Sequence, residues 1–141
     1  MKNKSLEKLE ILIVEDEPAM LLALNDTLTR QGFSVTQARN GVEGLEIALR
    51  DHPDLILLDI IMPKMDGMTM LSKLREDASW GKDAKVMILT NLSDEEKVED
   101  SKKQNVFDYL VKTEWTLSDI TRKIRDRLGL PWDRESESLG S

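Results

Sequence analysis

The chain has 141 residues, enough for one domain around one core, with 40% hydrophobic and 33% charged residues. The formal net charge of −7 argues against non-specific nucleic-acid binding, and the lack of any cysteine excludes a disulfide framework or a thiolate metal site. No apolar run is long enough to span a bilayer, and the polar residues 1–8 lack the apolar stretch of a signal peptide, so a cytoplasmic location with no membrane partner is expected.

In chain order, short apolar runs alternate with helical patterns. The runs occupy residues 9–14, 33–38, 54–59, 85–90 and 107–111. Ile11-Leu12-Ile13-Val14, Leu55-Ile56-Leu57-Leu58 and Val86-Met87-Ile88-Leu89 are continuously apolar, the mark of parallel strands covered on both faces by helices. The first predicted helix starts near Pro18, a residue suited to the first helical position, and stops at Gly32. Asp16 or Glu17 is a candidate cap for it. The second opens on Asn40-Gly41-Val42-Glu43, with Leu45, Ala48 and Leu49 as its apolar stripe. The third runs from about Met68 to Glu76. The fourth opens on Ser93-Asp94-Glu95-Glu96 and carries little apolar content beyond Val98. The fifth opens on Thr116-Leu117-Ser118-Asp119, places Leu117, Ile120, Ile124 and Leu128 on one stripe, and ends at Gly129. Its cations Arg122, Lys123, Arg125 and Arg127 read as a solvated face near the negative end of the helix dipole.

Strands alternating with helices imply an α/β, doubly wound, flavodoxin-like parallel sheet of order 2-1-3-4-5 with five helices. Residues 1–8 form an N-terminal extension, 9–130 the domain, and 131–141 a Ser/Glu-rich tail expected to be disordered.

In such sheets, sites form beyond the C-terminal ends of the strands, where strand order reverses. Strand 1 ends in Glu15-Asp16-Glu17 and strand 3 in Asp59, so four carboxylates face one mouth. Strand 4 ends in Thr90, and Lys112 follows strand 5. Two carboxylates about 4 Å apart, in an effective dielectric of about 20, repel by about 4 kcal/mol. Oxygen ligands in this number suit a hard divalent cation, and a site open to water suits Mg²⁺. A lone amine opposite them binds phosphate as a point charge. The set reads as a place where Asp59 attacks phosphorus while metal, lysine and hydroxyl spread the developing charge. Each residue alone has an ordinary structural explanation as a cap, a strand residue or a surface charge; their joint placement at four strand ends is what points to chemistry.

The chain resembles the receiver domains of two-component response regulators, in particular the stand-alone chemotaxis type. The resemblance covers residues 9–128. It rests on Ile11-Leu12-Ile13-Val14-Glu15-Asp16-Glu17-Pro18, on Asp54-Leu55-Ile56-Leu57-Leu58-Asp59-Ile60-Ile61-Met62-Pro63-Lys64-Met65-Asp66-Gly67, on Val86-Met87-Ile88-Leu89-Thr90, and on Asp108-Tyr109-Leu110-Val111-Lys112. It implies that Asp59 is the phosphoacceptor, and that Glu15, Asp16, Asp59 and the carbonyl of Ile61 hold Mg²⁺. Thr90 is then the switch hydroxyl, Tyr109 the aromatic that turns inward on activation, and Lys112 the phosphate-pairing amine. The implied donor is a sensor histidine kinase or a histidine phosphotransfer protein. The implied output face is the fourth helix, fifth strand and fifth helix, where Asp94, Glu95, Asp108, Arg122 and Arg125 offer charges for a phosphorylation-dependent dimer of an otherwise monomeric chain. The output partner is not specified by the sequence. Such a domain is regulatory and catalyses only its own phosphotransfer and dephosphorylation.

Three positions depart from the family's usual pattern. Asn91 follows Thr90 where a small residue is common, Asn105-Val106 replace Gly-Ala, and Thr113 replaces the proline after Lys112. A cis bond before a non-proline residue costs about 2.5–4 kcal/mol, so a trans Lys112-Thr113 peptide is expected. A phosphatase with an aspartyl nucleophile would usually need a second acid where Ile61 stands. A nucleotide- or flavin-binding module would need a glycine-rich cradle after strand 1, where this chain is acidic. A binding module that is never phosphorylated would have no need of the acids, Thr90 and Lys112 together.

Overall fold

The computed structural model describes residues 9–59, 65–90, 108–111 and 116–130. Five strands, β1 (Glu10–Val14), β2 (Ser34–Ala38), β3 (Leu55–Asp59), β4 (Val86–Thr90) and β5 (Asp108–Val111), form one sheet in the order β2-β1-β3-β4-β5. Every pairing is parallel. The described helices are α1 (Pro18–Arg30), α2 (Gly41–Asp51), α3 (Gly67–Arg75) and α4 (Leu117–Arg127), with a 3₁₀ turn at Gly81–Asp83. α4 is the fifth predicted helix. The fourth, opening at Ser93, lies outside the described residues, as does the Lys112-Thr113 peptide.

The continuous apolar runs are explained by two cores, one on each face of the sheet. Leu12, Val14, Ile56, Leu58, Val86 and Ile88 turn toward Ala48 of α2 and Met70, Leu71 and Leu74 of α3. Ile11, Ile13, Leu55, Leu57, Met87 and Leu89 turn the other way, toward Leu21, Leu24 and Leu28 of α1 and Ile120 and Ile124 of α4. Successive strand residues thus alternate between two dry layers, and each such Leu or Ile contributes about 1.5–3 kcal/mol. β2 is an edge strand and differs in kind: Ser34, Thr36 and Gln37 are exposed.

Local chemistry sets the helix ends. Pro18 occupies the first turn of α1, and Gly32, just past its end, takes φ 98°. Glu17 is the N-cap residue of α1, but its side chain makes no capping bond. Asn40 caps α2 by accepting the Glu43 N–H at 3.0 Å, while the Glu43 carboxylate accepts from the N–H of Arg39 at 3.4 Å. Thr116 and Asp119 form a reciprocal capping box on α4, and the bonds from Thr116, its backbone N–H first, hold the Asp119 carboxyl below the usual range.

Differences from the sequence expectations are small and local. Each strand begins one residue later than its apolar run, and α3 begins and ends one residue earlier than expected. The α3 shift has a cause: Asp66 caps that helix by accepting the Thr69 N–H at 2.9 Å. Arg125 departs from the solvated face assigned to it. It is only 4% exposed, whereas Arg122 and Arg127 are exposed. Its position, one residue after Ile124 and four after buried Thr121, turns its stem into the apolar seam of the helix.

The N-terminal edge of the sheet is tied by polar side chains to backbone. Asp54 accepts the Glu10 N–H at 2.7 Å. Asp77 accepts the N–H groups of Gly81 (2.7 Å) and Trp80 (3.0 Å). Arg75 donates through Nη1 to the carbonyls of Gly81 (2.7 Å) and Ala84 (2.8 Å). His52, the left-handed C-cap of α2 at φ 50°, stacks on Trp80 with ring centroids 4.5 Å apart.

Candidate functional site

The site is built by strand register. Val14 of β1 pairs with Leu58 of β3, so the next residues, Glu15 and Asp59, emerge side by side at the C-terminal edge. The Glu15 N–H continues the ladder by donating to the Ala38 carbonyl of β2 at 3.0 Å. β1 therefore sits between β2 and β3, at the crevice where strand order reverses.

Three of the four carboxylates expected at this mouth come together. One oxygen each from Glu15, Asp16 and Asp59 lie within 4.8 Å of one another. Glu15 is fully buried and Asp59 is 3% exposed, while Asp16 is exposed. Glu17 instead takes the N-cap position of α1. Burying carboxylates against one another is costly, and a bound cation offsets that cost. The donors are all oxygen, two of them sit on a rigid strand edge, and the third opens to water, so the set fits a hard divalent cation of the Mg²⁺ type.

Thr90 is the last residue of β4, paired with Val111 of β5, which puts its backbone at the same edge of the sheet. Tyr109 lies within β5, paired with Ile88. Ile61 and Lys112 lie outside the described residues.

The sequence reading missed one surface beside the mouth. On α1, Pro18, Ala19 and Leu22 are exposed, and Leu22 is the most open large hydrophobic described, at 60%. The signal was present in the spacing. Leu22 lies off the Leu21-Leu24-Leu28 stripe that packs on the sheet, so a helical projection from Pro18 would have turned it outward.

Comparison with known proteins agrees with this geometry. Residues 11–125 match the response regulator receiver domain. The chain belongs to that family, and is thus a phosphoacceptor domain of two-component signalling. It is 40% identical over 82 residues to response regulator MprA of Mycobacterium leprae, an alignment covering 58% of this chain and 35% of that protein. The chain thus spans about a third of that regulator's length. It is 30% identical over 103 residues to sporulation initiation phosphotransferase F of Bacillus subtilis, covering 73% of this chain and 81% of that protein. Among solved structures, it resembles the receiver domain of a sensor histidine kinase from Pseudomonas aeruginosa, determined with a magnesium ion coordinated in its active-site cleft. That likeness has a TM-score of 0.77 at 26% identity and covers 86% of this chain and 98% of the other. Among the described residues, no helix is long and apolar enough to cross a membrane.

Proposed function

We propose that Asp59 accepts a phosphoryl group at this mouth and that the domain switches its surface in response. The observation that carries this reading is the convergence of the Glu15, Asp16 and Asp59 oxygens within 4.8 Å, with Asp59 at the end of a buried strand. Glu15, Asp16, Asp59 and the backbone carbonyl of Ile61 would hold Mg²⁺. Bound there, the ion supplies charge neutralisation between an anionic acceptor and an anionic donor.

The remaining work falls to the chain. A carboxylate oxygen of Asp59 forms the new O–P bond, and the donor's bond to phosphorus breaks with its electron pair leaving on the donor. When the donor is a phosphohistidine, the departing imidazole nitrogen takes up a proton. Lys112 pairs with the phosphoryl oxygens, and the Thr90 hydroxyl donates to one of them. Movement of Thr90 leaves space that Tyr109 fills, which passes the event to the surface formed by the segment from Ser93, β5 and α4. The chain's own catalysis extends to its phosphorylation and dephosphorylation and no further.

The donor is a sensor histidine kinase or a histidine phosphotransfer protein, acting in the cytoplasm. Pro18, Ala19 and Leu22, exposed in the first turns of α1 just after the exposed Asp16, offer such a donor an apolar foothold. The output is a protein contact rather than a nucleic acid or a membrane, made by the monomer or by a dimer that forms on phosphorylation.

Intact-mass measurement after incubation with Mg²⁺ and acetyl phosphate tests the acceptor. One phosphoryl adduct is expected, absent in Asp59→Asn and in excess chelator; an adduct that persists in either sinks the assignment. Leu22→Asp tests the foothold separately. Transfer from a phosphohistidine protein should fall about tenfold, equivalent to about 1.4 kcal/mol of docking energy, while modification by acetyl phosphate stays at the wild-type rate.

A further inference from the structure

We propose that Gly41 is a positioning residue for the acid mouth, acting through a backbone brace that spans both sides of it; this inference rests on the phosphoacceptor reading above. The brace is the short segment Ala38–Gly41, between β2 and α2. At its start, the Ala38 carbonyl accepts the N–H of Glu15 at 3.0 Å. At its end, the Gly41 N–H donates to the Met65 carbonyl at 2.9 Å. One side of the segment therefore holds the β1 acids. The other holds Met65, six residues after Asp59.

Met65 is pinned from several directions. Its side chain packs against the core under α2 and α3, its carbonyl is taken by Gly41, and the next residue, Asp66, caps α3. The Gly41 N–H belongs to the first turn of a helix, where backbone donors have no partner within the helix, so it is available for this bond.

Only glycine fits. A Cβ on Gly41 would collide with the Met65 carbonyl oxygen and lie 2.8 Å from the Met65 Cβ and 2.9 Å from its carbonyl carbon. The obstructing atoms are mostly backbone, so the contact is relieved by separating α2 from Met65 and the start of α3. Buried Asn40, whose side chain accepts the Glu43 N–H, holds the helix end at the angle that makes the Gly41 bond.

A matched glycine at the other end of the sheet allows a controlled test. A Cβ on Gly81 would strike the Leu74 carbonyl oxygen and lie 2.8 Å from the Asp77 Cβ, the same kind of backbone collision away from the acids. Wild type, Gly41→Ala and Gly81→Ala are compared by melting temperature, by Mg²⁺ affinity from calorimetric titration, and by rate of modification with acetyl phosphate at saturating Mg²⁺. Both variants should melt lower. Gly41→Ala should also bind Mg²⁺ several-fold more weakly and react about tenfold or more slowly, since sub-ångström misplacement at a reacting centre carries costs on this order. Gly81→Ala should match wild type in both. Should Gly41→Ala fail to fold, Asn40→Ala takes its place, with smaller losses of rate and affinity in the same direction. Wild-type affinity and rate in the folded brace variant overturn the inference, as do equal losses in Gly81→Ala. If wild type itself gains no adduct at Asp59, the functional reading falls and takes the inference with it; a modified wild type matched by Gly41→Ala refutes the inference alone.

Discussion

The two ends of the sheet use the same residue type in opposite ways. At the N-terminal edge, Asp54 and Asp77 each face backbone N–H groups, and Arg75 caps two carbonyls of the turn before β4. The Gly81 and Trp80 N–H groups hold the Asp77 carboxyl below the usual carboxylate range. At the C-terminal edge, Glu15, Asp16 and Asp59 face each other. A carboxylate satisfied by backbone fixes a loop and has little left to offer a ligand. Carboxylates aimed at one another keep an attraction for a cation and raise the energy of the metal-free protein. One end of the sheet therefore ties side chain to backbone, and the other gathers like charges.

The largest test of this contrast is Arg75→Ala. It removes two charge-assisted bonds and leaves the Gly81 and Ala84 carbonyls without that donor, so chemical denaturation should show a loss of about 2–3 kcal/mol. The loss should be the same with and without Mg²⁺. A Mg²⁺-dependent loss would mean that the two ends are coupled.

Asp59→Asn should act in the opposite sense. Without Mg²⁺ it relieves like-charge repulsion at the mouth, and a gain of about 1 kcal/mol is expected in the same assay. Saturating Mg²⁺ should raise the wild-type melting temperature by binding the native state and so narrow the gap. A wild-type melting temperature that ignores Mg²⁺ would remove the metal site.

The smallest effect concerns pH. The folded-state pKa of Asp77 is depressed, so the folded protein binds fewer protons there than the unfolded chain. Its contribution is fully present above the ordinary carboxylate value and is lost as pH falls through the depressed one. Asp119, held low by its bonds to Thr116, behaves alike. Asp77→Asn should therefore melt slightly below wild type at pH 7, with the difference closing below about pH 4. A gap that widens in acid would reverse the sign assigned here.

Much of this was legible from residue order alone. The unbroken apolar stretches read as strands covered on both faces, and the order 2-1-3-4-5 expected for them places Glu15 and Asp59 at neighbouring strand ends. What escaped reading depends on contacts between segments distant in sequence. Asp66 stands two residues before the expected start of α3 at Met68, so its capping role does not show in the helical pattern. Arg125 stood among four cations, and nothing in their spacing singled out the one that packs inward. Gly41 read as a generic helix-opening residue; its need to be glycine arises from the Met65 carbonyl across α2 and α3. Propensity and periodicity report on a residue's own element, whereas these three features were set by neighbours from another.

The edge strand β2 bears on how the protein behaves when concentrated. An open strand offers a row of backbone donors and acceptors on which a second molecule could extend the sheet and seed aggregates. Here that row is five residues long and displays Ser34, Thr36 and Gln37 to solvent in place of an apolar face. A strand docking there would gain few hydrogen bonds and little dry contact, so this border of the sheet is poorly suited to templating fibrils.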